Sequence, residues 1–284
     1  MIILHIGLPK TGTTFLQQLF GHVPDLAFVH RKMGAAEAGI CHDLRRLGRA
    51  NPLLGHFYRH RFAAQLRRLV SEKAGSRNLL VSDEDVSVAA GGFWRGAGPR
   101  PQGLSHRLAA LGRQLGPAEG PLRVIIGIRR QDQWLASRYA ESSRMYPDFG
   151  QDDFNARLTR IADTGPMPGP LGWLDYHHVR ECFARALSAE NVLLLPLEHL
   201  AGAPDHALKE IGRFLGGIEL SNAFAIAHRK RRRRNRLSIG ENAWRLRRDG
   251  TPLTLAPELQ AALRARFAAS NRALAEVMPL GFEP

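Results

Sequence analysis

The stretch that most constrains the fold of this chain opens it: MIILHIGLPKTGTTFLQQLF, residues 1–20. Ile2, Ile3, Leu4 and Ile6 form a short apolar run, as in a strand buried on both faces. Gly7 and Gly12 frame a turn and permit backbone angles that other residues resist. Thr13 and Thr14 stand where a helix begins, and Phe15, Leu16 and Leu19 give that helix an apolar side. The first amides of such a helix have no internal partners and carry about half a positive charge. A strand, a glycine-bearing turn and a helix in this order therefore make a seat for an anion such as phosphate.

The alternation continues along the chain. Strands are predicted at 2–6, 25–29, 78–82, 122–128 and 191–195. Helices are predicted at 13–20, 34–48, 57–73, 104–115, 131–144, 175–188, 206–215 and 257–277. This pattern specifies an α/β fold with a mostly parallel central sheet flanked by helices. Stretches rich in Pro and Gly at 91–103 and 164–172 read as loops or lids. No internal repeat interrupts the 284 residues, which read as one domain over 1–284.

The opening turn departs from the ATPase pattern G-x-x-x-x-G-K-[ST], whose lysine follows the second glycine and whose hydroxyl holds magnesium. Gly7 and Gly12 keep the spacing, but Thr13 replaces the lysine and Lys10 lies earlier, inside the loop. A nucleotide kinase or NTPase would share this loop and need magnesium. The missing Gly-Lys-[Ser/Thr] argues against it.

Pro9-Lys10-Thr11-Gly12-Thr13-Thr14, followed by Leu16-Gln17, resembles the 5′-phosphosulfate loop of sulfotransferases, which use 3′-phosphoadenosine 5′-phosphosulfate (PAPS). A second phosphate site should accompany it. VIIGIRRQDQWLASRY, residues 124–139, is a strand feeding a helix. The family carries an arginine at that strand end and a serine eight positions on, and Arg129 and Ser137 keep the spacing. A strand-end guanidinium supplies forked donors for phosphate. NVLLLPLEHL (191–200) and ALKEIGRFLG (207–216) resemble the family's late strand and its Phe-Leu-Gly helix end. RRNRLSIG (233–240) resembles the Asn-x-Ser segment of bacterial members, with Leu237 in place of the first serine. The likeness is weakest over 31–75 and 85–120, where acceptor specificity is expected.

NLLVSDEDVS, residues 78–87, ends a buried strand in Asp83, Glu84 and Asp85. A carboxylate at the carboxyl end of a strand lies where open α/β sheets bind ligands and can take a proton from an attacking hydroxyl. Ser82-Asp83-Glu84 resembles the strand-end glutamate segment of the family's glycan branch, so Glu84 is the expected base. The competing reading is that these acids cap the next helix. The branch acting on phenols and steroids uses a Lys-Thr-His segment that this sequence lacks; His106 is the reserve.

The resemblance implies a P-loop sulfotransferase-like fold and an enzyme transferring a sulfuryl group from PAPS to a hydroxyl of a carbohydrate or glycolipid. Amides of the 11–14 loop would bind the 5′-phosphate. Arg129 and Ser137, with Arg234, Asn235 and Arg236, would bind the 3′-phosphate. Lys10 would face the bridging oxygen between phosphate and sulfate. No metal is expected to take part.

The formal charge is +14, and RKRRRRNR (229–236) supplies half of that excess. Such a run also suits a non-enzymatic nucleic-acid binder, but that reading leaves the two phosphate motifs unexplained. Two cysteines, Cys41 and Cys182, are expected as free thiols. No Cys/His cluster has zinc spacing. No apolar stretch is long enough for a membrane span, and the opening strand leaves no room for a signal peptide, so a cytoplasmic location is expected.

Overall fold

A computed structural model describes residues 1–75, 77–88, 92–165, 167, 169–231, 238–240 and 242–284. Its central sheet has five strands: β1 (Ile2–His5), β2 (Leu26–His30), β3 (Asn78–Ser82), β4 (Leu122–Ile128) and β5 (Val192–Pro196). Their spatial order is β2-β3-β1-β4-β5, and all four pairings are parallel. These strands lie within a residue or so of those predicted.

Alternate residues of each strand feed two apolar layers. Ile3, Leu80, Ile125 and Leu195 join one layer with Phe15, Leu16 and Leu19 of α1 (Thr13–Phe20). Ala207, Leu208 and Ile211 of α9 (Pro204–Phe214) and Ala223 and Ala227 of α10 (Ser221–Arg231) complete it. Ile2, Leu4, Leu79, Val81, Val124 and Ile126 point the other way. They meet α2 (Ala35–Arg49), α3 (Pro52–Leu69), α4 (Pro101–Leu115), α5 (Gln131–Ser142), α6 (Gln151–Asp163), α7 (Tyr176–Leu187) and α11 (Pro257–Ala275). Each fully buried aliphatic side chain contributes about 1.5–3 kcal/mol, which explains why the strands are apolar on both faces.

Three helices add to the predicted set. α6 carries its buried side on only Phe154, Leu158 and Ile161, a thin stripe in a charged segment. The short α8 (Leu197–Gly202) directly continues β5, and α10 runs into the basic stretch at its C-terminal end. Helix α3 starts at Pro52, five residues before the predicted start, because Asn51 caps it: its side chain accepts from the Leu54 amide at 2.9 Å. A small antiparallel sheet, β6 (Ser238–Gly240), β7 (Ala243–Arg245) and β8 (Pro252–Thr254), was not predicted; three-residue strands are too short to show alternation. The two Pro/Gly-rich loops contain short helical turns and are tied together, with Trp173 Nε1 donating to the Pro99 carbonyl at 2.9 Å.

Both cysteines are free, and Cys41 is buried. Among the described residues no helix is long and apolar enough to cross a membrane.

Candidate active site

The strand order brings three loops together. β1 lies between β3 and β4, so the turn after β1 is flanked by the segments that follow those two strands. This is the switch point at which parallel sheets bind ligands.

The turn after β1 is held from within. The Leu8 amide donates to Gly127 O at 3.0 Å, and Thr11 Oγ1 donates to Leu8 O at 2.6 Å. The fully buried Trp134 donates from Nε1 to Pro9 O at 2.6 Å. The Gly12 carbonyl accepts from the Phe15 and Leu16 amides. The loop's carbonyls are thus turned into the protein, while the first amides of α1, at Thr13 and Thr14, have no partner within the helix. No acidic residue sits in the first turn of α1 and no side chain caps it, so its positive end is left for a ligand.

The two glycines have different roles. Gly12 adopts φ +80°, the left-handed region that favours glycine. Gly7 is needed instead for close approach: a Cβ there would lie 2.4 Å from the Gly127 nitrogen. Gly127 in turn abuts Thr11, whose Oγ1 would lie 2.6 Å from an added Cβ. Lys10 also has a positive φ, 69°, without being glycine. Strain of this kind gathers where a loop is shaped for a ligand. Lys10 Nζ forms an ion pair with Glu141 Oε1 of α5 at 2.8 Å, and Glu141 also meets Arg247 at 2.9 Å and Arg138 at 3.4 Å.

Arg129 follows β4. Its carbonyl accepts from the Tyr176 hydroxyl at 2.6 Å, and its guanidinium reaches Gln133 Oε1 at 3.4 Å. Burial pulls its pKa down, against the pull of Glu198 and Asp132. Its neighbour Arg130 is ion-paired with Asp132 at 2.7 Å. Of this tandem, Arg129 is the cation with a neutral glutamine as its hydrogen-bond partner. Ser137 lies on α5, buried, and no hydrogen bond joins it to Arg129. Arg234, Asn235 and Arg236 lie outside the described residues.

The three acids after β3 divide their roles. Asp83 is wholly buried and caps a helical turn, Oδ1 accepting from the Asp85 amide at 3.0 Å. Arg45 donates to its Oδ2 at 2.7 Å, yet burial still pushes its pKa up to about 6. Glu84 makes no cap. Its Oε2 accepts from Gln17 Nε2 at 2.7 Å, and its Oε1 lies 3.3 Å from Arg31, which also pairs with Asp85. The capping reading therefore holds for Asp83, and Glu84 is free for another task. Behind it, Gln17 reaches Ser82 Oγ at 3.3 Å, and Ser82 meets His5 Nδ1 at 2.8 Å. His5 is fully buried, which pushes its pKa down to about 4.

Sequence reasoning missed Arg31, Arg45 and Glu141, which have no motif. Gln17 was quoted only as part of the loop motif, although it stands three positions after Thr14 on the same side of α1. His106 is exposed on α4. It lines a cavity of about 540 Å³ with Arg49, Arg100 and Arg107. Arg49 also donates to the Asp85 carbonyl at 2.6 Å, so the cavity adjoins the acid cluster.

No protein-family model matches the chain, and no curated protein matches it. Among solved structures, it resembles a sulfotransferase from Alicyclobacillus acidocaldarius with a TM-score of 0.53 and 14% identity, over 98% of this chain and 96% of that one. The chain has the sulfotransferase fold. The sulfotransferase domain of the Synechococcus PCC 7002 olefin synthase has 15% identity and a TM-score of 0.46, over 98% of this chain and 95% of that one. A mouse sulfotransferase complexed with PAP has 16% identity and a TM-score of 0.44, over 97% and 82%. The fold assignment rests on the first of these.

Proposed function

We propose that this protein transfers a sulfuryl group from PAPS to an acceptor hydroxyl, with a carbohydrate or glycolipid as the acceptor class. The observation that carries the proposal is the hydrogen bond from Gln17 to Glu84 at 2.7 Å. It couples the helix whose first turn faces the phosphate seat to a partly buried strand-end carboxylate that caps nothing; Asp83 is the cap, and the side chain of Asp85 pairs with Arg31 instead of α1.

The residues suit such a donor. The turn offers amides and a helix end to one phosphate, and Arg129 offers a guanidinium to another. In the proposed reaction the acceptor oxygen forms a bond to sulfur while the bond from sulfur to the bridging oxygen breaks. The electron pair of the broken bond stays on the departing phosphate. Lys10, on a turn fixed by Trp134 and Thr11, leaves Glu141 to meet the negative charge that grows on that oxygen. A cation placed there acts most strongly in the transition state. Glu84 takes the acceptor's proton, oriented by Gln17 and Arg31. The glycan acceptor class follows from the glutamate base and its resemblance to that branch.

The direct test is thermal stability with and without 3′-phosphoadenosine 5′-phosphate, the desulfated product. Ligand at about 100 times its dissociation constant should add about 2.7 kcal/mol. An unchanged melting temperature at millimolar ligand would remove the basis for the proposal. A shift by ATP with magnesium but not by this nucleotide would point to a phosphoryl-transfer enzyme.

A further inference from the structure

Two histidines and a glutamate converge outside the transfer site. His199 lies on α8; His206 and Glu210 lie one turn apart on α9. His199 Nε2 is 3.1 Å from His206 Nδ1 and 3.3 Å from Glu210 Oε2, and His206 Nδ1 is 3.9 Å from Glu210 Oε1. One ligand atom from each residue can be chosen so that all three fall within 4.8 Å of one another. Zinc bound at about 2.0–2.1 Å in tetrahedral geometry separates its ligand atoms by about 3.3–3.4 Å. The two imidazole nitrogens are 3.1 Å apart, close to that value, and each meets a different oxygen of Glu210, so turning the carboxylate brings one oxygen towards both. The proposed transfer chemistry uses none of these side chains.

We infer that His199, His206 and Glu210 form a site for one transition-metal dication of the zinc class, with the fourth position open to water. The donor set of two imidazoles and one carboxylate suits such an ion. The site is pre-arranged by packing. Each ligand residue is followed by a buried core residue: Leu200 after His199, Ala207 after His206 and Ile211 after Glu210. His199 is itself buried, at 5% exposure, with the C-terminal segment pressed on its backbone; a Cβ on Gly281 would lie 2.4 Å from the His199 nitrogen. Without an ion, the single hydrogen that Nε2 of His199 can carry is shared between two neighbours. A cation engages all three groups at once.

The sequence gives little sign of this site, because its spacing, His-x6-His-x3-Glu, matches no Cys/His zinc pattern. The ion would fasten α8 to α9 across Ala203, the single residue between them. Leu197 of the same short helix touches the turn at Gly12, and Glu198 accepts from the Arg130 amide at 3.1 Å. The ligands themselves belong to neither phosphate site, so the inference stands or falls apart from the proposed function.

The test uses full-length, tag-free protein stripped with a chelator and titrated with ZnCl2 against a chromophoric competitor. One equivalent should bind with a dissociation constant of about 1 µM or tighter, and CoCl2 should give the visible bands of a tetrahedral ion. His206→Ala, at a position 61% exposed, should fold normally and lose at least about 100-fold in zinc affinity. Glu210→Gln, which keeps the side chain's shape, should also weaken binding. Zinc should raise the melting temperature of the parent protein and not that of His206→Ala. Absence of stoichiometric binding in the parent protein overturns the inference. So does equal binding by parent, His206→Ala and Glu210→Gln proteins, which would put the ion elsewhere.

Discussion

Lys10 Nζ lies 2.8 Å from Glu141 Oε1, so the cation of the phosphate turn is held by a carboxylate on the helix that also bears Ser137. Glu141 gathers Arg138 and Arg247 as well, and this leaves it satisfied when Lys10 departs. The proposed mechanism therefore asks Lys10 to exchange partners as the donor binds. Lys10→Ala should lower turnover by about 10² or more while weakening nucleotide binding only in part, because the charge acts at the breaking bond. Glu141→Gln should leave turnover within a few-fold of the parent and lower KM for the donor, since one competitor for the lysine is weakened. Turnover of Lys10→Ala at the parent rate would show that Lys10 has another role.

Glu84 and Asp83 are neighbours with separable effects. Glu84→Gln keeps the shape of the side chain, so fold and donor affinity should persist while turnover falls by about 10² or more. Asp83→Asn takes the charge from the partner of Arg45 and should lower the melting temperature, with turnover per folded molecule nearly intact. Gln17→Ala should sit between them, lowering kcat about tenfold with little change in donor KM, because Gln17 acts by orienting Glu84. Melting temperature and steady-state kinetics on the same three proteins separate these outcomes. Normal turnover in Glu84→Gln would shift attention to His106 and the cavity it lines.

Much of the fold was legible because the strands of a two-faced parallel sheet are continuous apolar runs. Ile2 to Leu4 and Val124 to Ile126 are buried on both sides, and no other element explains such runs as well. The Gly7–Gly12 spacing was equally visible, although it could not show that Gly7 serves contact with Gly127 rather than an unusual angle. What escaped notice depends on tertiary placement. Arg31, Arg45 and Glu141 are ordinary charged residues in sequence; only the approach of β2, α2 and α5 to the switch point gives them partners. The His199–His206–Glu210 group likewise needs the turn at Ala203 to close it.

Arg129 carries the prediction for the second phosphate. Because Arg130 is committed to Asp132, Arg129 is the tandem member proposed to meet the nucleotide's 3′-phosphate. Arg129→Ala should weaken binding of 3′-phosphoadenosine 5′-phosphate far more than binding of adenosine 5′-phosphosulfate, which lacks that phosphate. A charged hydrogen bond of about 1.5–3 kcal/mol corresponds to about 10- to 150-fold. Calorimetry with both nucleotides gives the ratio directly. Equal losses would place Arg129 away from the 3′-phosphate.

The buried pair of His5 and Asp83 predicts opposite pH dependences from neighbouring positions. Burial pushes His5 down to about 4 from its ordinary 6.5, so the folded protein holds fewer protons there than the unfolded chain. Its contribution to stability is present above pH 6.5 and is lost as pH falls towards 4. Burial pushes Asp83 up to about 6 from 3.8, so the folded protein holds more protons there. That contribution is present below pH 3.8 and is lost as pH rises through 6. Two variants isolate these contributions. His5→Asn keeps a polar atom for Ser82 and opens a small cavity, so it should melt below the parent at pH 7. The gap should narrow as pH falls from 6.5 to 4, since over that range the parent's unfolded chain gains a histidine proton that its folded state does not hold, and the variant has no such group. Asp83→Asn should behave in reverse, with its largest deficit near pH 4 and a smaller one at pH 7. Melting temperatures of the three proteins at half-unit steps from pH 4 to 7.5 test both slopes. Variant curves that run parallel to the parent's would show that neither group changes its proton affinity on folding.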